Sequence, residues 1–233
     1  MGLKESGLRG SLRNVSVGMG AIPDSAIHQY PTDEGSGTTL GDNVGSADGT
    51  ISGASWDDTE GGKGGWVLDY DGDDDQTDIS SAADRQLDAL TLSTWVKVQT
   101  DEAGPGVVAL GEFGQDEVAL LNIQGDGEIR FVMQVDGSQE SVTTNFNPNE
   151  WQYVVGSFDV NDNLRIYING SLEASASHSY SRGPDVSGLG KRIGDRGGGG
   201  SEIDAKIDDT IIADEQWNDQ EVSDYYSDTQ SNY

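Results

Sequence analysis

From about residue 26 onward, short runs in which every second residue is apolar alternate with connectors rich in Gly, Asp, Asn and Ser. A period of two sends alternate side chains to opposite faces, so each run predicts a β-strand. The clearest are 91–99, 106–113 and 117–124, followed by 128–136, 151–160 and 163–169. Gly125-Asp126-Gly127, Pro148 and Asn161-Asp162 separate them with turn chemistry, which predicts an antiparallel meander. Within 163–169, Leu164, Ile166 and Ile168 face one way and Arg165 and Tyr167 the other, implying one buried sheet face and one wetter face. Asn169-Gly170 predicts a tight hairpin into 171–177, because both residues tolerate positive φ. Residues 202–213 form another long strand pattern, and 218–227 a short helix. Asn218 caps that helix, Glu221 completes a capping box, and Trp217 provides the apolar staple. A weak helical turn is expected over 83–90. So many strands with so little helix predict an all-β sandwich or jelly roll rather than a barrel.

At 233 residues, length allows a single all-β domain. The division expected is an extended N-terminal arm over 1–25 and one domain over 26–233. Absence of cysteine excludes disulfides, thiolate metal sites and a Cys nucleophile. No apolar run is long enough to span a membrane, so no membrane insertion is expected, and the first residues lack a secretory pattern.

The net charge is −29, with 29 Asp against 13 Glu and only 5 Lys, and the acids are scattered through nearly every connector. Such a surface repels itself at ordinary ionic strength, but near 1 M salt the Debye length falls to about 3 Å. The pattern predicts a halophilic source; a protein that binds many calcium ions is the rival reading, and no repeated Asp-rich calcium motif supports it. A nucleic-acid partner is disfavoured because clustered Lys and Arg are lacking. Residues 1–20 depart from the trend, with Lys4, Arg9 and Arg13 against Glu5, and suit a peptide that orders against a scaffold or virion protein.

The segments 27–45, 48–56, 61–79, 90–98, 149–159, 164–175, 192–195 and 205–226, in that order, resemble a LamG-like jelly roll of the concanavalin A-like lectin and glucanase superfamily. Gly35, Gly37 and Asp42 match that family's short glycine turn, and Val67 to Gly72 its second strand with Tyr70 in place of Phe. The resemblance implies two stacked antiparallel sheets and a role in recognising glycans or proteins without catalysis. It also implies that Trp95 and Trp151 pack the sheets together, which makes them poor ligand candidates. A structural Ca²⁺ recurs in the superfamily; the matching carboxylate is Asp208, and Asp33 and Gly72 fall in connectors that could add oxygens. The run Asp71-Gly72-Asp73-Asp74-Asp75 lacks the spaced ligands of an EF-hand and reads as an acidic loop.

Glu202-Ile203-Asp204 resembles the start of the E-x-D-x-E pattern of the superfamily's retaining glucanases, but position 206 is Lys, which removes the acid/base. His28 and His178 have no nucleophile pattern beside them. The Gly197–Gly200 tract lacks the Lys-Ser/Thr of a phosphate loop and reads as a flexible connector. Trp56, Tyr180, Arg182, Asp185 and Arg192 are the mixed aromatic and polar residues a sugar site would use. Two glycosylation sequons occur, at Asn14 and Asn169, the second explained by its turn.

These readings predict a non-enzymatic, homo-oligomeric surface module, extracellular or on a virion, that binds a cell-surface glycan or glycoprotein and is displayed on a larger assembly through its arm. The arm sequence resembles virion proteins of tailed viruses infecting haloarchaea. A purely structural decoration protein and a polysaccharide-active enzyme are the alternatives. The charge pattern predicts that the thermal midpoint rises steeply between about 0.1 M and about 1 M KCl; a midpoint that stays flat in calorimetry would refute the salt-adapted reading.

Overall fold

The computed structural model describes residues 21–197 and 200–233. The expected interaction of residues 1–20 with a scaffold lies outside the described residues. In chain order the strands are β1 (Ala26–Tyr30), β2 (Thr39–Leu40), β3 (Gly49–Ser52), β4 (Ser55–Asp57), β5 (Val67–Asp71), β6 (Gln76–Asp78), β7 (Ala89–Val98) and β8 (Gly106–Leu110). They continue with β9 (Val118–Gly125), β10 (Glu128–Val135), β11 (Ser138–Asn145), β12 (Gln152–Asp159), β13 (Leu164–Ile168), β14 (Ser171–Ala176), β15 (Lys191–Ile193) and β16 (Asp204–Ala213). One α-helix, α1 (Asp219–Thr229), follows.

Two antiparallel sheets stack as a jelly-roll sandwich. Sheet A runs β14-β13-β12-β7-β16-β5-β4, with β1 also on β16; sheet B runs β11-β10-β9-β8-β15-β6-β3-β2. The expected meander is therefore two: β8 to β11 stay in sheet B and β12 to β14 in sheet A. The chain changes sheets over 146–151, where Pro148 lacks a ladder N–H and Asn149 has φ +64°. Strand β11 gave no apolar signal because it is an edge strand on which Val142 alone is buried.

The core between the sheets carries Leu92, Val96, Phe131, Val154, Ile166 and Ile207. A second cluster lies on the outer face of sheet A: Trp95, Tyr153, Val155, Tyr167 and Ile211 pack beneath Trp217, Val222 and Tyr225. Tyr167 is therefore fully buried rather than wet, because α1 covers the face that alternation alone leaves to solvent. The capping box forms as expected, with Asn218 Oδ1 accepting from the Gln220 and Glu221 N–H groups and Glu221 accepting from the Asn218 N–H. Residues 22–25, part of the expected arm, lie against this cluster: Ile22 packs on it, and Trp217 Nε1 donates to Ser25 Oγ (3.0 Å).

The Asn169-Gly170 hairpin has positive φ at both residues, and Asn169 Oδ1 accepts from the Tyr153 N–H (2.9 Å). The helical turn expected over 83–90 is absent: Ala83 takes φ +46°, which stops a right-handed helix, and Leu87 turns into the core.

Gly156 on β12 marks a close approach of the sheets, since a Cβ there would lie 2.3 Å from the Phe131 ring of β10. Gly156→Ala is expected to destabilise the domain by about 1–3 kcal/mol through overpacking, with partial recovery when Phe131→Leu is added, read by chemical denaturation.

Candidate functional site

Strand β16 changes neighbours midway. Asp204 to Ile207 pair with β5, Thr210 to Ala213 pair with β1, and the β7 register slips between Asp208 and Ile211. At this irregularity Asp209 has φ +48°, and the adjacent Asp208 and Asp209 side chains are both fully buried. Asp209 is held by Lys63 Nζ (3.1 and 3.2 Å), Gln29 Nε2 (2.7 Å) and Tyr225 OH (2.6 Å). Asp208 accepts from Thr32 Oγ1, the Lys63 N–H (2.7 Å), the Asp209 N–H (2.6 Å) and Tyr233 OH (2.6 Å). Burial first, then the Asp209 charge, pushes the Asp208 carboxyl up to about 7.

These bonds bear on the calcium expectation. Four N–H and O–H donors already surround the Asp208 oxygens, and the nearest cation is the Lys63 ammonium. Such a donor set does not fit a hard cation, which needs oxygens as its neighbours. Thr32, next to Asp33, touches Asp208, whereas Gly72 lies beside Asp204, four residues back along the strand and about 13 Å away. Gly72 instead borders a 220 Å³ pocket with Asp71, Glu102, Glu202 and Asp204. Asp71, Asp74 and Asp75 bring one oxygen each within 4.8 Å of one another.

Beside the end of α1, a cleft of about 480 Å³ opens on the outer face of sheet A. Its floor is Trp95, stacked on Tyr233 (4.1 Å) and Tyr226 (5.7 Å), and Trp151 tilts against Tyr233 (5.0 Å). Polar groups from Asn149, Glu150, Asn169 and Gln230 ring the mouth, and the Lys97–Glu60 pair (2.7 Å) closes one side. Trp95 Nε1 is satisfied by Thr229 Oγ1 (3.1 Å), but the Trp151 Nε1–H has no acceptor among the described residues. A buried donor without a partner costs about 1–3 kcal/mol.

Trp95 and Trp151 thus do not pack sheet against sheet as expected; both face outward. The signal was present in the alternation, since Trp151, Tyr153 and Val155 share one side of β12 with apolar residues no wet face needs. Tyr226 and Tyr233 carried no local signal, because only the return of the C-terminal segment to β7 places them there.

The predicted sugar residues lie elsewhere. Tyr180 OH reaches the Met133 and Ser138 carbonyls (2.8 Å each). Arg182 forms a bidentate pair with Glu117 (2.6 and 3.0 Å) and also meets Asp136, while the Asp185 N–H donates to Glu117 (2.8 Å). Arg182 and Asp185 converge on the Glu117 carboxylate, and with the Tyr180 bonds to two β10–β11 carbonyls they pin the 175–192 connector to sheet B. Arg192 pairs with Glu112 and Asp195, and Trp56 Nε1 donates to the Gly37 carbonyl (2.9 Å) on sheet A, so neither joins them.

Catalytic groupings are occupied as well. Lys206 meets Asp57 and Asp69, and its hydrogen bond holds the Asp57 carboxyl down at about 2. His28 Nε2 accepts the Ala83 N–H (2.9 Å), which leaves the ring proton on Nδ1 facing Asp42 (2.6 Å). A backbone amide therefore stands where a triad would need its nucleophile.

Comparison with known proteins follows from this geometry. The Laminin_G_3 family, described as the concanavalin A-like lectin/glucanases superfamily, matches residues 41–223. The search of curated proteins finds no match. Among solved structures, the botulinum neurotoxin serotype D binding domain superposes with TM-score 0.69 at 16% identity, covering 90% of this chain and 52% of that one. The botulinum neurotoxin type G receptor binding domain gives 0.65 at 17% identity, covering 87% and 51%. The chain thus spans about half the length of these toxin domains. Domain 4 of AbnA, an extracellular arabinanase of Geobacillus stearothermophilus solved with arabinotriose, gives 0.69 at 18% identity and is covered completely, with 87% of this chain. At these identities the likeness is one of fold.

The raised Asp208 carboxyl sets a pH dependence. Because the folded state holds this proton more tightly than the unfolded chain, the associated stability is present at low pH and lost as pH rises from about 4 to about 7. Carboxyls held down in the fold, such as Asp42, Asp57 and Glu117, act in the opposite sense and below that window. Asp208→Asn is expected to flatten the decline in unfolding free energy between pH 5 and 7, up to about 1.4 kcal/mol per pH unit in the native chain. An identical slope in both proteins would show that another group titrates there.

Proposed function

This chain belongs to the Laminin_G_3 family of the concanavalin A-like lectin/glucanases superfamily, and from that premise we propose that it is a non-enzymatic carbohydrate-binding module whose ligand occupies the aromatic cleft beside α1. The observation that carries this reading is the cleft itself: the Trp151 and Tyr233 rings line it, together with the amide and carboxylate side chains of Asn149, Glu150, Asn169 and Gln230. Sugar rings present C–H faces that pack on aromatic planes and hydroxyls that pair with such edges. The two binding-domain neighbours and the arabinotriose complex add support from fold likeness.

The finer reading concerns setting. A chain with 42 acidic against 13 basic residues fits a module working outside the cell in concentrated salt. Display in several copies, through residues 1–20 on a virion or cell-surface assembly, would raise the modest affinity of one open cleft. Absence of the chain from purified particles would remove the virion part of this reading.

The test is cosedimentation of the full chain with haloarchaeal envelopes in molar salt, before and after enzymatic deglycosylation, alongside Trp151→Ala. The native chain is expected to bind only glycosylated envelopes. The variant should keep its thermal midpoint within a few degrees and bind on the order of tenfold more weakly, as loss of a stacking platform implies. Binding indifferent to deglycosylation or to the variant would overturn the assignment.

A further inference from the structure

Among the described residues, every lysine and arginine has a carboxylate partner except two. Those two, Arg130 and Arg196, lie together. Arg130 projects from β10 on the outer face of sheet B; Arg196 comes from the loop after β15; and both guanidinium groups lie over the ring of Phe113, at 5.8 and 4.8 Å from its centre. Phe113 is itself seated on a small apolar cluster of Ala109, Val118, Leu120 and Val132, and its N–H donates to the Arg196 carbonyl (3.1 Å). The pair is therefore held by the fold and not by chance rotamers of a free surface.

With 42 carboxylates in the chain, leaving two half-buried cations on one aromatic ring is a costly arrangement that a single acidic substitution would relieve. Their mutual repulsion and burial are visible in the Arg130 guanidinium, whose pKa is lowered first by burial and then by Arg196. Among the described residues, one polar side-chain contact engages either group: Arg130 Nε donates to Asn122 Oδ1 (3.3 Å), and the Nη hydrogens of Arg130 meet no acceptor there. The nearby carboxylates, Glu112 and Asp195, face Arg192 instead. Paired guanidinium forks over an aromatic ring form a receptor for an oxyanion carried on a body with an apolar face.

We propose that Arg130 and Arg196, stacked on Phe113, form a second binding site that takes the carboxylate or sulfate of an acidic saccharide. That the anion is carried on a sugar rests on the glycan-binding reading above; the oxyanion site rests on the arginine pair alone. The site lies on sheet B and the aromatic cleft on sheet A, so one domain can engage two points of an extended polymer. The acidic surface repels polyanions at long range, but in molar salt that repulsion is screened to a few Å while bonds made in contact persist.

The experiment is a titration of the full chain, labelled with ¹⁵N-arginine, reading the Nε–Hε resonances of Arg130 and Arg196. The probes are trigalacturonate, its fully methyl-esterified form, and a sulfated galactan oligosaccharide with its unsulfated counterpart. Saturable shifts with either charged sugar and none with its neutral partner are expected, and the responding arm tells uronate from sulfate. Arg196→Gln, at a half-exposed position, should weaken binding on the order of tenfold and abolish the Arg130 response, while Trp151→Ala leaves both unchanged. Equal shifts with charged and neutral sugars, no response to either charged sugar, or undiminished binding by Arg196→Gln would overturn the site. Failure of the aromatic-cleft reading would show separately, as an absence of any Trp151→Ala effect on cosedimentation with glycosylated envelopes.

Discussion

Two buried aspartates joined to one lysine hold this sandwich together. Where β16 passes from β5 to β1, the regular ladder is interrupted, and the gap is closed by five residues from four segments meeting at Asp208 and Asp209. Gln29 and Thr32 come from and just after β1, Lys63 from the loop before β5, Tyr225 from α1, and Tyr233 from the end of the chain. Removing Lys63 would strand a buried carboxylate, a loss of about 3–5 kcal/mol in comparable pairs. Because Tyr225 and Tyr233 are anchored here, the same polar centre fixes how α1 lies on sheet A. The aromatic cleft is a consequence of that placement.

Charge is partitioned by depth in the same spirit. The acids stay mainly in connectors, where water and counter-ions reach them, whereas the lysines are drawn inward: Lys191 is fully buried and caps the Ser80 and Leu189 carbonyls, and Lys63 and Lys206 are nearly so. Lys63, Lys191 and Lys206 neutralise buried carboxylates or a carbonyl cage, which adds little positive charge to the outer surface. Against that background, the unpaired arginines on sheet B form a local reversal of sign, and the two outer faces of the sandwich acquire different chemistries, aromatic on one and cationic on the other.

The strands, the capped helix and the Asn169-Gly170 hairpin were legible in sequence because each depends on local chemistry: period-two alternation, an Asx cap with its Glu three residues on, and two residues that accept positive φ. Resemblance to the superfamily supplied the stacking of the sheets. What misled was the inference from one strand to its surroundings. Tyr167 reads as a wetter-face residue only while α1 is unplaced, and Trp95 reads as sheet-to-sheet packing only while its side of β7 is unknown.

Sequence by itself determined the class of fold, the acidic surface and the lack of a glutamate where a retaining glucanase needs its acid/base, since these follow from residue type and short-range spacing. Tertiary structure alone decided the sites. Tyr180, Arg182 and Asp185 are close in sequence, yet their hydrogen bonds were consumed structurally, Tyr180 by the Met133 and Ser138 carbonyls and the other two by Glu117. Trp95, Trp151 and Tyr233 span more than half the chain and converged only because the carboxylate pair in β16 draws the C-terminal segment back across sheet A. Arg130 and Arg196 are brought together by the loops that fold over sheet B. Contacts between residues so far apart depend on the register of many intervening strands, which no local pattern encodes.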